Sequence, residues 1–572
     1  MPIVKLSSQS QYPRINSLTN FYIGIVFVVY WFSLGFATPS VERAQSIVTS
    51  EYSGSVIGKL FPNLMNVKES GHIHSYNNNT TTGPITTEQF TSFRSFVIGS
   101  GRFDESRPYR NLANMSPDKH DYRPSDYYYG GWFLYPVGVG IFFAEKVGYL
   151  SISSDLQFYI KNPDQVANIY KVGRLIVLLT FICTLWVIKR IALLMGDERS
   201  GLLSVALFSS CPLVLDNILV TKPHIYAACF VAFAMYFAML FVRTNRTGFH
   251  WMSVIFLGVA VGSSLASGLM LLMWPCLYFG RLQNFLRDGF WIKTCLVVLV
   301  VFLIGNPYVL VEPDEFIKTI LGMDIGTSGQ GYSELSLTTL YWYLISSPFE
   351  YGVTIALSLV LTCLLTLRQA TSELKRLLLL VLTLFIVSGL TIAAHRITLF
   401  NLIPVVVIAS LHICFFNKIE ASRATRFLYG TSLAAMLVPL IACVLLFNYQ
   451  HISEKDDYDV VNNEIQNMHE SELTPSIGVY ETPVPAHYLP YNILTTRYFN
   501  LSTDVTVTPD LVLIRNALAE RWNNDPRATG YSLVFRSAKQ SIPWEVKPLK
   551  VLVSPYIQNW RKPSISLYKK NS

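Results

Sequence analysis

Trp132-Phe133-Leu134-Tyr135-Pro136-Val137-Gly138-Val139-Gly140-Ile141-Phe142-Phe143-Ala144-Glu145-Lys146-Val147-Gly148-Tyr149-Leu150 is apolar enough for a membrane span and too interrupted to be an orderly one. It contains Pro136, the glycines Gly138, Gly140 and Gly148, and the charged pair Glu145-Lys146. A span needs about 20 predominantly apolar residues in one helix. The reading of this stretch fixes the sidedness of everything after it. As a full span it would turn the Lys- and Arg-bearing short loops downstream to the outside, against the positive-inside bias. We therefore read it as a helix that lies along, or dips into, the outer interface.

The surrounding chain is membrane material. Only 14% of its 572 residues are charged, against about 25% in soluble domains, and its mean hydropathy is +0.36. The formal charge of +8 does not argue for nucleic acid, because much of the excess sits in short loops between apolar runs. The eight cysteines (Cys183, Cys211, Cys229, Cys276, Cys295, Cys363, Cys414, Cys443) all fall inside apolar segments. Neither a disulfide framework nor a cysteine metal site is expected from that distribution. The first apolar run lacks a convincing cleavage motif and reads as a retained span.

Working outward from 132–150, the hydropathy pattern predicts an all-α polytopic protein with about 11 spans. They lie near 21–37, 172–193, 202–220, 225–242, two short helices within 251–279 broken at Gly262-Ser263-Ser264, then 294–311, 350–367, 377–394, 398–416 and 428–447. The N-terminus is expected inside, and 38–171 forms one large outer loop with interfacial helices. A further interfacial helix is expected at 337–348, where Tyr341, Trp342 and Tyr343 suit headgroup depth. Asn77 to Pro84 reads as a loop. Residues 1–447 form the membrane domain. Residues 448–572 are polar with short runs such as Leu511-Val512-Leu513-Ile514 and read as a small α/β or β domain on the outer face. Asn78-Asn79-Thr80-Thr81 and Asn500-Leu501-Ser502 fit the glycosylation acceptor pattern.

Ionisable residues at the ends of spans are costly and are functional suspects by default. The outer ends and loops supply Glu42, Asp104, Glu105, Arg107, Lys222, His224, Glu312, Asp314, His395 and Arg396. Carboxylates facing Lys, His and Arg are what transfer of a phosphate-linked group requires. The carboxylate orients or removes the acceptor proton, and the cations hold the leaving phosphate. Lys222 and Arg396 also suit simple snorkelling to the interface. Tyr127-Tyr128-Tyr129-Gly130-Gly131-Trp132 is an aromatic belt that could line a sugar or headgroup. No Walker, Rossmann, nucleophile-elbow or zincin motif occurs, so nucleotide-driven chemistry has no support.

Several pieces, in order, resemble the GT-C type polytopic glycosyltransferases. The likeness is to the family-39-like enzymes related to protein O-mannosyltransferases and the lipid A aminoarabinose transferase. They are Phe103-Asp104-Glu105, Met115-Ser116-Pro117, Asp121-Tyr122-Arg123-Pro124, Tyr129-Gly130-Gly131 with Leu134-Tyr135-Pro136, and Ile169-Tyr170-Lys171-Val172-Gly173-Arg174. Pro212 through Lys222-Pro223-His224, Gly258 to Ser263, and Gly305-Asn306-Pro307-Tyr308 complete the set. The likeness covers 100–320 well, 321–447 loosely and the C-terminal domain not at all.

The resemblance implies transfer of a sugar from a polyprenyl-phosphate donor to a glycan, lipid or protein acceptor on the non-cytoplasmic face. Inversion at the sugar is expected. It makes Asp104 the catalytic base, with Glu105 supporting it or contacting the acceptor. Lys222, His224, His395, Arg396, Tyr129 and Arg107 are the candidates for holding the donor. In this chain the Asp-Glu pair lies well beyond the first span, so 38–100 reads as an insertion and Glu42 is the fallback site. The second outer loop carries Lys222-Pro223-His224 where some relatives carry an acidic residue, and no required metal or cofactor is expected. A multi-pass protein of the cell inner membrane, if bacterial, follows, with membrane lipids and no nucleic acid as partners. Two other classes remain: a transporter or flippase of lipid-linked glycans, for which no internal repeat is visible, and a non-catalytic membrane partner protein.

Overall fold

A computed structural model describes residues 13–35, 38–40, 98–100, 105–278, 289–322 and 403–411, isolated positions between 376 and 387, and pieces of 476–571. The helices are α1 (Pro13–Phe32), α2 (Ser106–Asn114), α3 (Gly131–Lys146), α4 (Leu156–Lys161), α5 (Pro163–Met195), α6 (Glu198–Ser209), α7 (Pro212–Ile218), α8 (Pro223–Thr244), α9 (Thr247–Ser263) and α10 (Met273–Leu277). They continue with α11 (Phe290–Gly305), α12 (Tyr308–Val311), α13 (Pro313–Gly322) and α14 (Ile403–Ser410). The expected spans near 350–367, 377–394 and 428–447, most of 398–416, the 337–348 helix and the segment 41–97 lie outside the described residues.

Local chemistry sets the boundaries. Pro163, Pro212 and Pro223 each open a helix, where a missing N–H costs nothing. Asp197 caps α6 by accepting from Ser200 N at 2.8 Å. Asn245 ends α8 in the left-handed region at φ 57°. The expected single span at 202–220 is instead two helices, because Pro212 cannot continue the ladder of α6. The expected run 294–311 is likewise divided at Asn306-Pro307 into α11 and α12. After the break at Ser264 the chain runs as a 3-10 helix over Leu265–Leu272 before α10.

Two helices, α5 and α8, are long and apolar enough to cross a bilayer; Asn16–Phe32, α9, Leu265–Leu277 and α11 are apolar but shorter. The 33 residues of α5 extend about 50 Å at ~1.5 Å per residue, well beyond a hydrocarbon core of about 30 Å. Its first turns, with Asp164, Gln165, Asn168 and Lys171, therefore project past that core.

The side chains facing outward are apolar. On α1, Leu18, Phe21, Ile25, Val28 and Phe32 are exposed, Phe32 by 82%. On α11, Ile292, Leu296, Leu299 and Ile304 are exposed. Steps of three to five residues make each set one stripe. The interior meanwhile holds Arg174, Lys189, Ser200 and Ser204. An aqueous fold would bury such stripes; exposed in this way, they suit contact with lipid. This is a membrane protein.

Helix α3 lies across one end of the bundle. Gly131 abuts Gly305 at the end of α11, and Gly140 meets Val172 and Ile176 of α5. Just beyond α3, Tyr149 O accepts from Asn168 Nδ2 at 3.1 Å and Ser151 N donates to Gln165 Oε1 at 2.8 Å. These contacts climb toward the start of α5 and do not descend along it. The end that carries α3 also gathers Leu34 after α1, residues 219–222 and the end of α9. The opposite end gathers the Lys189 Nζ to Asn20 Oδ1 hydrogen bond (2.6 Å) and the His250 to Thr294 pair (3.0 Å).

Within 476–571, five strands form one sheet: β1 (Ser476–Val479), β2 (Arg497–Asn500), β3 (Leu511–Arg515), β4 (Tyr531–Arg536) and β5 (Ile565–Lys570), in the order β2-β1-β3-β5-β4. The β1 pairings with β2 and β3 are parallel; β3 with β5 and β5 with β4 are antiparallel. Val512, Ile514, Trp522 and Tyr568 form its core. The Leu511–Ile514 run lies in the central strand, buried on both faces.

Candidate functional site

Glu105 is the N-cap of α2, and its side chain is fully buried. Arg174, one turn into the apolar part of α5, meets it as a fork: Nε donates to Oε1 at 2.8 Å and Nη2 to Oε2 at 2.6 Å. Ser100 Oγ donates to Oε2. Thr221 gives Oε1 its backbone N–H at 2.9 Å and its hydroxyl at 3.2 Å. The remaining arm of Arg174 donates to Leu34 O at 2.9 Å. Since Thr221 Oγ1 gives its proton to the carboxylate, it accepts from Tyr109 Oη, 2.7 Å away. Gly173 permits this approach: a Cβ there would stand 2.2 Å from Tyr109 Oη.

Three chain segments, those of Ser100, Arg174 and Thr221, thus converge on one carboxylate. Burial alone would raise the Glu105 pKa, but the Arg174 charge and the hydrogen bonds from Arg174, Ser100 and Thr221 outweigh it and hold it below the ordinary value. Glu105 is therefore a charged, fully engaged group. Asp104, its chain neighbour, lies outside the described residues, as do Glu42, His395 and Arg396.

The other expected site residues that are described cluster around the same end. Lys222 follows Thr221 directly, is buried, and precedes the first residue of α8; His224 is buried in the first turn of that helix. Arg107 places its guanidinium 4.1 Å over the Tyr128 ring, and its Nε lies 3.6 Å from Asp126 Oδ2. Tyr129 is buried, and its ring meets Phe133 of α3, which in turn meets Tyr226 in the second turn of α8.

Residues 125–131 are pinned at both ends. Asn111 of α2 accepts from Ser125 Oγ and from Asp126 N (3.0 Å). At the other end Gly130 N donates to Ser263 O (3.1 Å) and Gly131 N to Asn306 Oδ1 (2.8 Å). Asn306 Nδ2 returns to Gly262 O at 3.0 Å, and Trp132 Nε1 reaches Val301 O at 2.8 Å. A Cβ on Gly131 would fall 2.0 Å from Gly305 O.

Further out, Arg123 is held by Asp121 and also donates to Glu312 Oε1 at 3.0 Å. Tyr127 Oη donates to Glu312 Oε2 at 3.1 Å. Burial and the neighbouring carboxylate push the Tyr127 phenol up, so it stays a donor at neutral pH. Glu312 stood among the outer-end carboxylates by sequence, but its partners did not. Arg174 and Thr221 were also missed as site residues. The available signal for Arg174 was an arginine just inside an apolar run, which needs a buried partner. Among the described residues no three His, Cys, Asp or Glu side chains gather as a metal site would require.

No protein-family model matches the chain, and no curated protein matches it by sequence. Among solved structures it is similar to ArnT from Cupriavidus metallidurans bound to undecaprenyl phosphate, with 13% identity and TM-score 0.42 over 82% of this chain and 95% of that one. It is also similar to the Archaeoglobus fulgidus oligosaccharyltransferase in complex with zinc and sulfate (13%, TM-score 0.39, 73% of this chain and 65% of that one). The archaeal oligosaccharyltransferase AglB from the same organism, with an inhibitory peptide and a dolichol-phosphate, gives 12%, TM-score 0.38, and 77% and 69%.

Proposed function

We propose that the chain is a membrane glycosyltransferase that moves a sugar from a polyprenyl-phosphate donor to an acceptor on the non-cytoplasmic face. Asp104 serves as the general base. The observation that carries this reading is the Glu105 node. Glu105 is locked by Arg174 and by Thr221, the residue directly before Lys222, and Asp104 is the residue that precedes Glu105 in the sequence. Glu105 then acts as a positioning residue, since its oxygens are already occupied by donors.

In the reaction, Asp104 takes the proton of the acceptor hydroxyl as that oxygen attacks the anomeric carbon. The bond from that carbon to the phosphate oxygen breaks, and polyprenyl phosphate leaves with the electron pair. Attack opposite the leaving group inverts the anomeric centre. Lys222, with Arg107, His395 and Arg396, supplies the positive charge that stabilises the departing phosphate. Tyr129 gives an aromatic wall for sugar or lipid. No metal is required in this scheme.

Replacement Asp104→Asn tests it. The variant should keep the wild-type thermal midpoint and lose release of polyprenyl phosphate from a polyprenyl-phosphate sugar by about a hundredfold or more, the usual contribution of a positioned base. Wild-type turnover in Asp104→Asn would refute Asp104 as base. Lys222→Ala should lower kcat as well as kcat/KM for the donor, since the charge it removes acts on the departing phosphate.

A further inference from the structure

Residues 121–127 and 308–322 meet through contacts unlike those that fix Asn306. Residues 308–322 leave α11 at Asn306-Pro307, where the Asn306 side chain is pinned to Gly131 and Gly262. Beyond that anchor, the polar contacts described between this segment and residues 121–127 are Tyr122 N to Tyr308 Oη (2.9 Å), Arg123 to Glu312, and Tyr127 to Glu312 and Tyr308 O. The Tyr127 ring also meets Phe316 edge-on at 5.9 Å. Side-chain exposure is 47% for Arg123 and 32% for Glu312. Ion pairs so exposed hold weakly and are screened by salt.

One half of this contact is complete without the other. Asp121 grips Arg123 through Nε at 2.8 Å and Nη2 at 2.6 Å, so Arg123 stays paired when Glu312 withdraws. Glu312 can re-enter water at its exposed edge. A firm hinge, a self-satisfied receiver and a solvent-reachable hook are the parts of a reversible latch.

We propose that residues 308–322 form a strap hinged at Asn306-Pro307 and latched by Glu312 onto Arg123 and Tyr127, and that its release admits the lipid-phosphate donor to the candidate site. The donor clause rests on the function proposed above; the latch does not. Glu312 is a positioning residue and touches no reacting atom.

Hydrogen–deuterium exchange on the full chain in lipid nanodiscs tests it. Glu312→Gln should speed exchange across 308–322 by about two- to fivefold at low salt, the range through which a surface ion pair biases an equilibrium. In the wild type, roughly 0.5 M NaCl should produce the same change, since the Debye length falls well below 10 Å; in Glu312→Gln salt should add nothing. Arg123→Gln should reproduce the phenotype and stands in if Glu312→Gln does not fold. Equal exchange in wild type and both variants, or a salt-insensitive wild type, overturns the latch. Undecaprenyl phosphate added to the nanodiscs should alter exchange of 308–322 in the wild type. No change there, with the salt and variant effects intact, overturns the donor link and leaves the latch standing.

Discussion

At the scale of single residues, Glu105 and Arg174 hold the greatest leverage. Both side chains are fully buried, and each is the other's charge partner. Removing one leaves an uncompensated buried charge, which costs about 3–5 kcal/mol, whereas removing both costs less. Arg174→Met should therefore unfold well below the wild type in a detergent-solubilised thermal melt, and Glu105→Gln/Arg174→Met should recover part of the loss. Equal losses in the single and double variants would refute the pairing. The pH dependence follows from the direction of the Glu105 shift. Its folded pKa lies below the ordinary carboxylate value. The stabilisation is thus fully present above the unfolded pKa and is lost as pH falls through the folded one. The wild-type melt should fall steeply below about pH 4, and the double variant should lack that component.

At the scale of elements, the junction of α3 with α9 and α11 decides how the first outer loop sits. Gly131 meets the carbonyl of Gly305, and backbone cannot yield as a flexible side chain can. Gly131→Ala should cost about 1–3 kcal/mol by overpacking and should also depress transfer, because residues 125–131 hang from that junction. Gly24→Ala on α1, with nothing within 4 Å, should be neutral or mildly stabilising. A Gly131→Ala melt equal to that of Gly24→Ala would remove the junction from the argument. The same elements show what the sequence could reveal. The broken run at 262–264 and the helix within 132–150 are visible in the pattern of apolar residues and glycines, whereas the run from 294 reads through Asn306-Pro307 to 311. The division of 202–220 at Pro212 was missed, since both halves are apolar and hydropathy alone joins them. The Glu105–Arg174 and Arg123–Glu312 partners were not legible, because each joins residues remote in sequence and no local pattern encodes such pairs.

At the scale of the whole molecule, sidedness can be argued from the two ends of the bundle. One end collects Glu105, Lys222, Glu312 and the crossing helix α3. The other collects Lys189, near Asn20, and also the chain around Arg190, Arg243, Arg246 and Lys293, a basic rim of the kind retained in the cytoplasm. The two ends can be assigned by reaction with a membrane-impermeant maleimide. Ser154, exposed between α3 and α4, and Arg246, exposed between α8 and α9, report opposite ends. Cys211, Cys229 and Cys276 are buried and Cys183 and Cys295 are half-buried, and labelling of the unsubstituted chain gives the background to subtract. Ser154→Cys should label in right-side-out vesicles, and Arg246→Cys only after the membrane is opened. The reverse pattern would put the Glu105 node in the cytoplasm and remove the basis for a donor bound in the outer leaflet. Labelling of both positions from one side would mean that an even number of crossings separates them, so that α5, the α6–α7 pair and α8 do not all span; a spanning α3 would instead move both positions together, and its contacts climbing α5 from Ile176 to Gln165 argue against that.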